Sequence, residues 1–346
     1  MSNGLDDPVV DPAEVLVTAL ALENDGRFLA SIQLLSDANR RSRDALLEER
    51  LVSVRHAAFD SLDRARPEHV PPTIAAELPS GELHAIDVGE LTPATLRAGL
   101  ARSGCVWVRG LISPTRAEGL ARGIDRALAG FDERAAAGGT RLTSPWYLPF
   151  EPQAGRYRVG GRNKWVRASG AVWTVESPRM LFELCELLEE TGISELVTAH
   201  LGERPALSAN KCTLRRVPVD TNTNWHQDGA FLGIDVRTVN LWLALSDCGA
   251  DSPGLEIVPR RLDTVLPTGT AGAIFDWSVS PEIVAEISRD TPVLTPRFQA
   301  GDALLFDQML VHRTAVGPGM TRERYAMETW MFAPSSYPEG QIPLVF

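Results

Sequence analysis

Cysteine is scarce and scattered. The four present, Cys105, Cys185, Cys212 and Cys248, form no Cys-x-x-Cys pair. That removes the common zinc and dithiol spacings and leaves buried thiols as the expectation. Long apolar runs are missing as well. None approaches the ~20 residues that a bilayer-spanning helix needs. The first residues, Met1 to Asp7, are acidic and lead into no basic-then-apolar stretch, so no secretory signal is expected and the cytoplasm is the expected location. Positive charge is in deficit, with 34 Lys and Arg against 45 Asp and Glu and a net charge of −11. A nucleic-acid partner is therefore not expected, and nothing suggests membrane attachment. A hydrophobic fraction of 44% over 346 residues is ordinary for a globular enzyme with room for two domains.

The most informative stretch is Trp225-His226-Gln227-Asp228-Gly229, taken with the distant His312. On an extended backbone a His-x-Asp pair points an imidazole and a carboxylate to one side, because strand side chains alternate. A second imidazole from another strand completes a two-histidine, one-carboxylate cap on one face of a metal. Such a cap leaves the opposite face open and suits non-haem Fe(II). By itself His-x-Asp is a weak signal, and each residue has an ordinary reading as a strand histidine or a turn acid. The context strengthens it. Val239, Leu241, Leu243 and Leu245 alternate as in a strand with one face on the core. Ser252-Pro253-Gly254 is a turn before the short apolar run Leu255–Val258. Gly301-Asp302 is another turn, before Ala303–Phe306 and the strand that carries His312 and Thr314. A last strand runs from Arg324 to Phe332.

With these pieces in order, the chain resembles the phytanoyl-CoA dioxygenase (PhyH-like) family of Fe(II)/2-oxoglutarate oxygenases. The segments that carry the likeness are 225–229, 239–247, 252–259, 300–314 and 324–332, with a weaker opening strand at Gly104–Leu111. It spans roughly residues 85–346. The resemblance implies a mainly β fold with flanking helices, built on a double-stranded β-helix of the jelly-roll or cupin type. It implies His226, Asp228 and His312 as iron ligands, with 2-oxoglutarate and O2 as co-substrates. Arg324 matches the family's arginine for the far carboxylate of 2-oxoglutarate. The interval from His312 is one residue longer than usual, which keeps Arg322 as the alternative. Trp242 and Thr314 match positions that line the co-substrate, and Gln227 between the ligands is a further candidate.

The chemistry fits these residue types. Two imidazoles and a carboxylate hold Fe(II) without enclosing it. A distal carboxylate calls for a planar, permanently charged fork, which arginine supplies and lysine does not. The implied reaction converts 2-oxoglutarate and O2 to succinate and CO2 while a small molecule is oxidised. Related halogenases lack the carboxylate ligand, so Asp228 favours hydroxylation, with desaturation, ring formation or epoxidation as alternatives on the same centre. The rival from another class is a non-catalytic jelly-roll binding protein, which would have no need of a complete ligand set.

Residues 1–66 read as a helical region, 67–84 as a linker marked by Arg66-Pro67 and Pro71-Pro72, and 85–346 as the oxygenase domain. Helices are predicted over Ala13–Glu23, from Phe28 through Ile32, Leu34 and Leu35, and from about Asp44 to Leu62. They form a cap on the barrel or a surface for self-association or partner docking. Between Arg141 and Arg167 lie six basic residues against the single acid Glu151, with Trp146, Tyr147, Tyr157 and Trp165 and the glycines 155, 160 and 161. The resemblance places a variable loop here, so the segment is predicted to be a lid, hinged at Gly160 and Gly161, over an anionic or polar substrate. The competing reading is a solvated basic loop paired with surface acids. His56, His69, His84 and His200 show no ligand spacing and are read as structural or solvated.

Overall fold

The computed structural model describes residues 11–67, 83, 85–139, 144–157, 163–221, 224–270 and 272–346. The expected linker 67–84 falls almost wholly outside them, as do His69 and His84. The helical start comprises α1 (Pro12–Asn24), α2 (Phe28–Arg41) and α3 (Ala45–Ala57). Asp11 caps α1 by accepting from the Ala13 amide, and Asp44 caps α3 by accepting from Leu46 and Leu47. Gly26, at φ 73°, turns the chain between α1 and α2. Next come β1 (Ala85–Asp87), α4 (Pro93–Ser103), β2 (Cys105–Arg109), α5 (Pro114–Ala136), α6 (Asn163–Ala168) and β3 (Ala171–Trp173). They are followed by α7 (Pro178–Glu190), α8 (Ile193–Leu201), β4 (Ala206–Ser208), β5 (Thr213–Val217), α9 (Gly229–Leu232), β6 (Thr238–Ala244) and β7 (Gly254–Val258). The chain ends with α10 (Pro281–Ile287), β8 (Ala303–Phe306), β9 (Val311–Ala315), β10 (Arg324–Phe332) and β11 (Pro343–Val345).

The strands make a double-stranded β-helix. The large sheet runs β1-β2-β8-β6-β10-β4-β11, with β5 on the first half of β10 and β3 on β5. The small sheet is β7 against β9, widened by bridges from His226 to His312 and from Ile257 to Leu294. Alternation gives the large sheet two faces. Leu241, Leu243, Leu305, Met327 and Met331 pack against helices, among them Leu120 and Ile124 of α5 and Leu184 and Leu187 of α7. Trp242, Leu304, Phe306, Ala326 and Trp330 point the other way, toward Leu255 and Ile257 of the small sheet. All seven residues of β6 are therefore buried. The expectation of one core face for this strand is corrected, because the helices cover the face that would otherwise meet water.

The N-terminal helices share a core with the barrel's edge. Leu35, Leu47, Leu51, Val54 and Phe59 cluster with Phe182 of α7, Ala206 of β4 and Val345 of β11. Arg55 donates to the Val345 carbonyl at 3.0 Å, and His56 Nδ1 to that of Pro343 at 2.9 Å. Arg40 grips Glu186 through Nε and Nη2 at 2.6 and 2.9 Å. Glu48, fully buried, is met by Arg179 and by Asn39 at 3.2 Å. All four cysteines are buried free thiols. Among the described residues no helix is long and apolar enough to cross a membrane.

The predicted lid is not over the histidines in its described part. Trp146 lies under Arg126 and Arg179, at 4.8 and 5.5 Å, and the Tyr147 ring is 5.1 Å from Phe131 of α5. Arg156 pairs with Asp60 at 2.5 Å, Arg167 with Asp132 at 2.6 Å, and the Gln153 amide donates to His56 at 3.2 Å. These contacts hold the described part of the segment on the helical side, where acids of α5 and of the turn after α3 neutralise Arg156 and Arg167. Arg141, Arg158, Arg162, Gly160 and Gly161 lie outside the described residues, as do the side chains of Lys164 and Trp165.

Candidate active site

His226 and His312 face each other across an antiparallel bridge, each backbone amide donating to the other's carbonyl at 3.1 Å. Their rings sit 4.3 Å apart. His226 Nδ1 is 2.8 Å from the Asn224 carbonyl, and His312 Nδ1 is 3.1 Å from that of Leu310. A carbonyl can only accept, so each Nδ1 carries the proton and each Nε2 keeps its lone pair, the arrangement a metal-bound imidazole needs. Burial, reinforced by His312 alongside, pushes His226 down to about 4 and keeps it neutral.

Asp228 completes the group, its Oδ2 lying 3.8 Å from His312 Nε2. One ligand atom from each of His226, Asp228 and His312 lies within 4.8 Å of the others. The backbone differs from a plain His-x-Asp strand. Extension ends at His226, and Asp228, at φ −63° and ψ −23°, opens α9. Gly229 permits this turn: its amide donates to the Gln308 carbonyl at 2.8 Å, and a Cβ there would meet that oxygen at 3.2 Å. Gln227 points away from the ligands. It is fully buried, donates to the carbonyls of Met309 and Thr264 at 2.8 and 3.3 Å, and accepts from Leu266 at 2.8 Å. The expectation that Gln227 reaches the co-substrate is thus corrected, since its amide is spent on three backbone groups.

Arg324 lies inside the barrel with no solvent exposure. Nη1 donates to the Gly254 carbonyl at 2.7 Å, while Nε and Nη2 have no partner. Those two nitrogens form the side-on fork that matches a carboxylate. Burial, and then Arg215, lower this guanidinium to about 10. A buried cation with two unspent donors marks a place for an anion, since native interiors rarely leave such groups unsatisfied. Trp242 stacks its ring 5.3 Å from the Arg324 guanidinium, and its buried Nε1 is also unpaired. Thr314 shares the His312 face of β9 and registers with Leu255, one residue from the Gly254 that anchors Arg324. Arg322 is on the surface, 56% exposed and paired with Asp251 at 2.7 Å. The donors present fit both groups, a metal at the triad and a dicarboxylate running to Arg324.

The family model of phytanoyl-CoA dioxygenase (PhyH) matches residues 100–316. The chain belongs to this family. It is a non-haem iron, 2-oxoglutarate-dependent oxygenase that uses Fe(II) and O2. Similar folds include EctD from S. alaskensis with 2-oxoglutarate and 5-hydroxyectoine, at 16% identity and a TM-score of 0.52 over 72% of this chain and 80% of that one. EctD with bound Fe gives 17% identity and a TM-score of 0.51 over the same shares. No curated protein matches the chain in sequence.

Several residues at this PhyH site carried no motif. Lys211 reaches within 3.7 Å of Asp228 Oδ1 from the turn before β5. Trp277, in the loop after β7, sets its ring edge-on to His226 at 5.5 Å. Inside the barrel Arg215 pairs with Glu328 at 2.7 Å. Burial opposes the Glu328 charge, yet Arg215, Arg324 and Thr213 together hold this carboxyl at about 2. The register of β5 on β10 places Thr213, Arg215 and Val217 opposite Glu328, Ala326 and Arg324. Alternation along β5 was the signal available for its inward residues.

Proposed function

We propose that this PhyH-family oxygenase hydroxylates a C–H bond of a small, polar or anionic molecule of secondary metabolism, in the cytoplasm. The observation that carries the reading is a ligand triad and a buried arginine fork lining one barrel interior. His226, Asp228 and His312 would hold Fe(II), and Arg324, with Trp242 and Thr314 beside it, the far carboxylate of 2-oxoglutarate. When bound, iron and 2-oxoglutarate supply the oxidising power, with succinate and CO2 as by-products. The chain's own residues do the rest. The Nδ1–H bonds to Asn224 and Leu310 fix both imidazoles in the tautomer that presents Nε2. Asp228 occupies the position that a halide ligand would need, which favours hydroxylation over halogenation. The Arg324 fork sets the register of the co-substrate, while Phe306, 5.0 Å from His312, and Trp330 behind it keep water from the buried side. Helices α1–α3 serve as a cap integral to the barrel, supported by their shared core with α7 and β11.

The test is anaerobic addition of Fe(II) and 2-oxoglutarate, followed by air and a metabolite screen. The expected results are a visible charge-transfer band, then succinate, CO2 and a product heavier by one oxygen. No band and no succinate from folded protein would overturn the reading.

A further inference from the structure

The inner wall of the barrel carries a polar pair to which the triad and the co-substrate fork assign no task. Side chains alternate along β5, so Cys212 and Leu214 join the core under the helices while Thr213 and Arg215 face the barrel. On β10, Glu328 shares the inner face with Ala326 and Arg324. Arg215 has Ala171 of β3 on one flank and Ala326 of β10 on the other, and Glu328 lies between Thr213 of β5 and Trp242 of β6. Both residues thus have hydrogen-bonded strands on either side. Their side chains nevertheless stay 16% and 22% exposed. With both flanks occupied and helices over the opposite face, that surface opens on the barrel interior. The row begins at the metal, because Lys211, two residues before Thr213, comes within 3.7 Å of Asp228. It ends at Arg324, in register with Val217. The pair therefore stands beside the space between the triad and the fork.

The chemistry of the pair selects what can sit against it. One oxygen of Glu328 accepts from Arg215 Nη1 at 2.7 Å and the other from Thr213 Oγ1 at 3.0 Å. Each carboxylate oxygen has room for about one further donor. Arg215 keeps a buried Nε without a partner. Apolar residues of similar volume would hold this wall as well or better, so the pair is not kept for stability. A carboxylate ligand would meet the Glu328 charge, and an ammonium would meet Arg215, Arg324 and Lys211. A neutral hydroxyl donates to Glu328 and meets neither penalty.

Resting on the function proposed above, we propose that Glu328, held by Arg215 and Thr213, is a specificity residue that takes a neutral hydroxyl group of the substrate. The substrate is then a hydroxylated, uncharged molecule, polar rather than anionic, and its hydroxyl anchors it beside the co-substrate.

The experiment uses the anaerobic complex of the full chain with Fe(II) and 2-oxoglutarate. The probes are cyclohexane, decalin and tetrahydropyran frames, each carrying a hydroxyl, methoxy, ammonium or carboxylate group. The charge-transfer band of the complex, seen before any probe is added, reports the proposed function separately. Without it that function fails, whatever the probes do. Binding is read by ligand-observed magnetic resonance as the alcohol-to-ether ratio within each variant, so any general loss cancels. The wild type is expected to favour alcohols over the other three groups by roughly tenfold or more, the worth of one hydrogen bond to a charged group. Glu328→Gln keeps the shape and removes the charge, and it should shrink the ratio. The double variant Arg215→Met, Glu328→Leu removes the pair without stranding a charge and should erase it. Ethers, amines or carboxylates that bind as well as alcohols overturn the proposal, and this wild-type ordering decides the matter where a variant does not fold. A preference that survives in the double variant overturns it too. So does a complex that shows the band yet binds no probe, and so does a double variant whose defect lies in 2-oxoglutarate affinity with the ratio intact.

Discussion

The two faces of the β6–β8–β10 sheet differ in chemistry although they share one backbone. Toward the helices stand Leu241, Leu243, Leu305, Met327 and Met331, all buried and all apolar. Toward the barrel interior stand Trp242, Arg324 and Glu328, with donors of Arg324 and Trp242 buried and unpaired. The first face removes apolar surface from water and supplies stability. The second keeps costly groups unsatisfied, which a folded chain retains where a ligand completes them. Side-chain alternation lets one strand serve both ends, so substitutions one residue apart should act on different properties.

The largest effect should come from the ligands. Asp228→Ala removes a charge and a ligand atom together, and iron binding and turnover should both vanish while the fold persists. Metal analysis alongside circular dichroism checks this, and a variant that retained stoichiometric iron and wild-type turnover would end the assignment. On the helical face, Leu241→Ala should cost about 2–5 kcal/mol in chemical denaturation. Its Michaelis constant for 2-oxoglutarate should stay near that of the wild type. A large change in that constant with little loss of stability would mean that the two faces are not separate.

A third test is pH. His200 of α8 is half-buried with a buried, unpaired Nδ1, and desolvation, followed by Arg97 and other arginines, lowers it to about 4. In the unfolded chain it returns to about 6.5. Between these values the unfolded state binds a proton that the folded state refuses. Its contribution is therefore complete above about pH 6.5 and falls away as the pH drops toward 4, by up to about 3 kcal/mol. Metal-free thermal melts across this window should show the slope, and His200→Leu should reduce it while His226, likewise lowered to about 4, keeps the remainder. An unchanged slope would locate the acid sensitivity elsewhere.

The interior arginines provide the finest test. Arg324→Lys keeps the charge and loses the fork, so 2-oxoglutarate affinity should fall by the ~1.5–3 kcal/mol of a charged hydrogen-bonded contact, roughly 10- to 150-fold. Arg324→Met should leave the ligand-free protein as stable as before or more so, because it removes a buried, incompletely paired cation. Arg322→Ala, on the surface, should change stability by less than about 0.5 kcal/mol and leave affinity alone. Reversed behaviour of 322 and 324 would show that the clamp had been misplaced by two residues.

The strands that carry chemistry were readable because their residues speak through type and period. His226, Asp228 and His312 are metal-ligand types, and β6 announces itself by alternation and its successors by short apolar runs between turn signals. The three-residue strands β1, β3, β4 and β11 escaped notice, since so short a span shows no period. Gln227 was misjudged because its neighbours are candidate ligands, while its own amide meets three backbone groups. For segment 141–167 the lid and the paired-loop readings stood side by side, because a run of basic residues does not tell which acids it will meet. In the folded chain Asp60 and Asp132 claim Arg156 and Arg167.

Residue order by itself gave the candidate ligand set and the ordered motifs whose family resemblance implied a jelly roll, because ligand type and side-chain period are local properties. The tertiary structure decided what depends on long-range approach. It buried Arg324 and left Arg322 in solvent, though two residues separate them on one chain. It brought Lys211 to Asp228 and Trp277 to His226 across long stretches of sequence. Charge and aromatic surface act through space, so their partners exist only after the chain has closed.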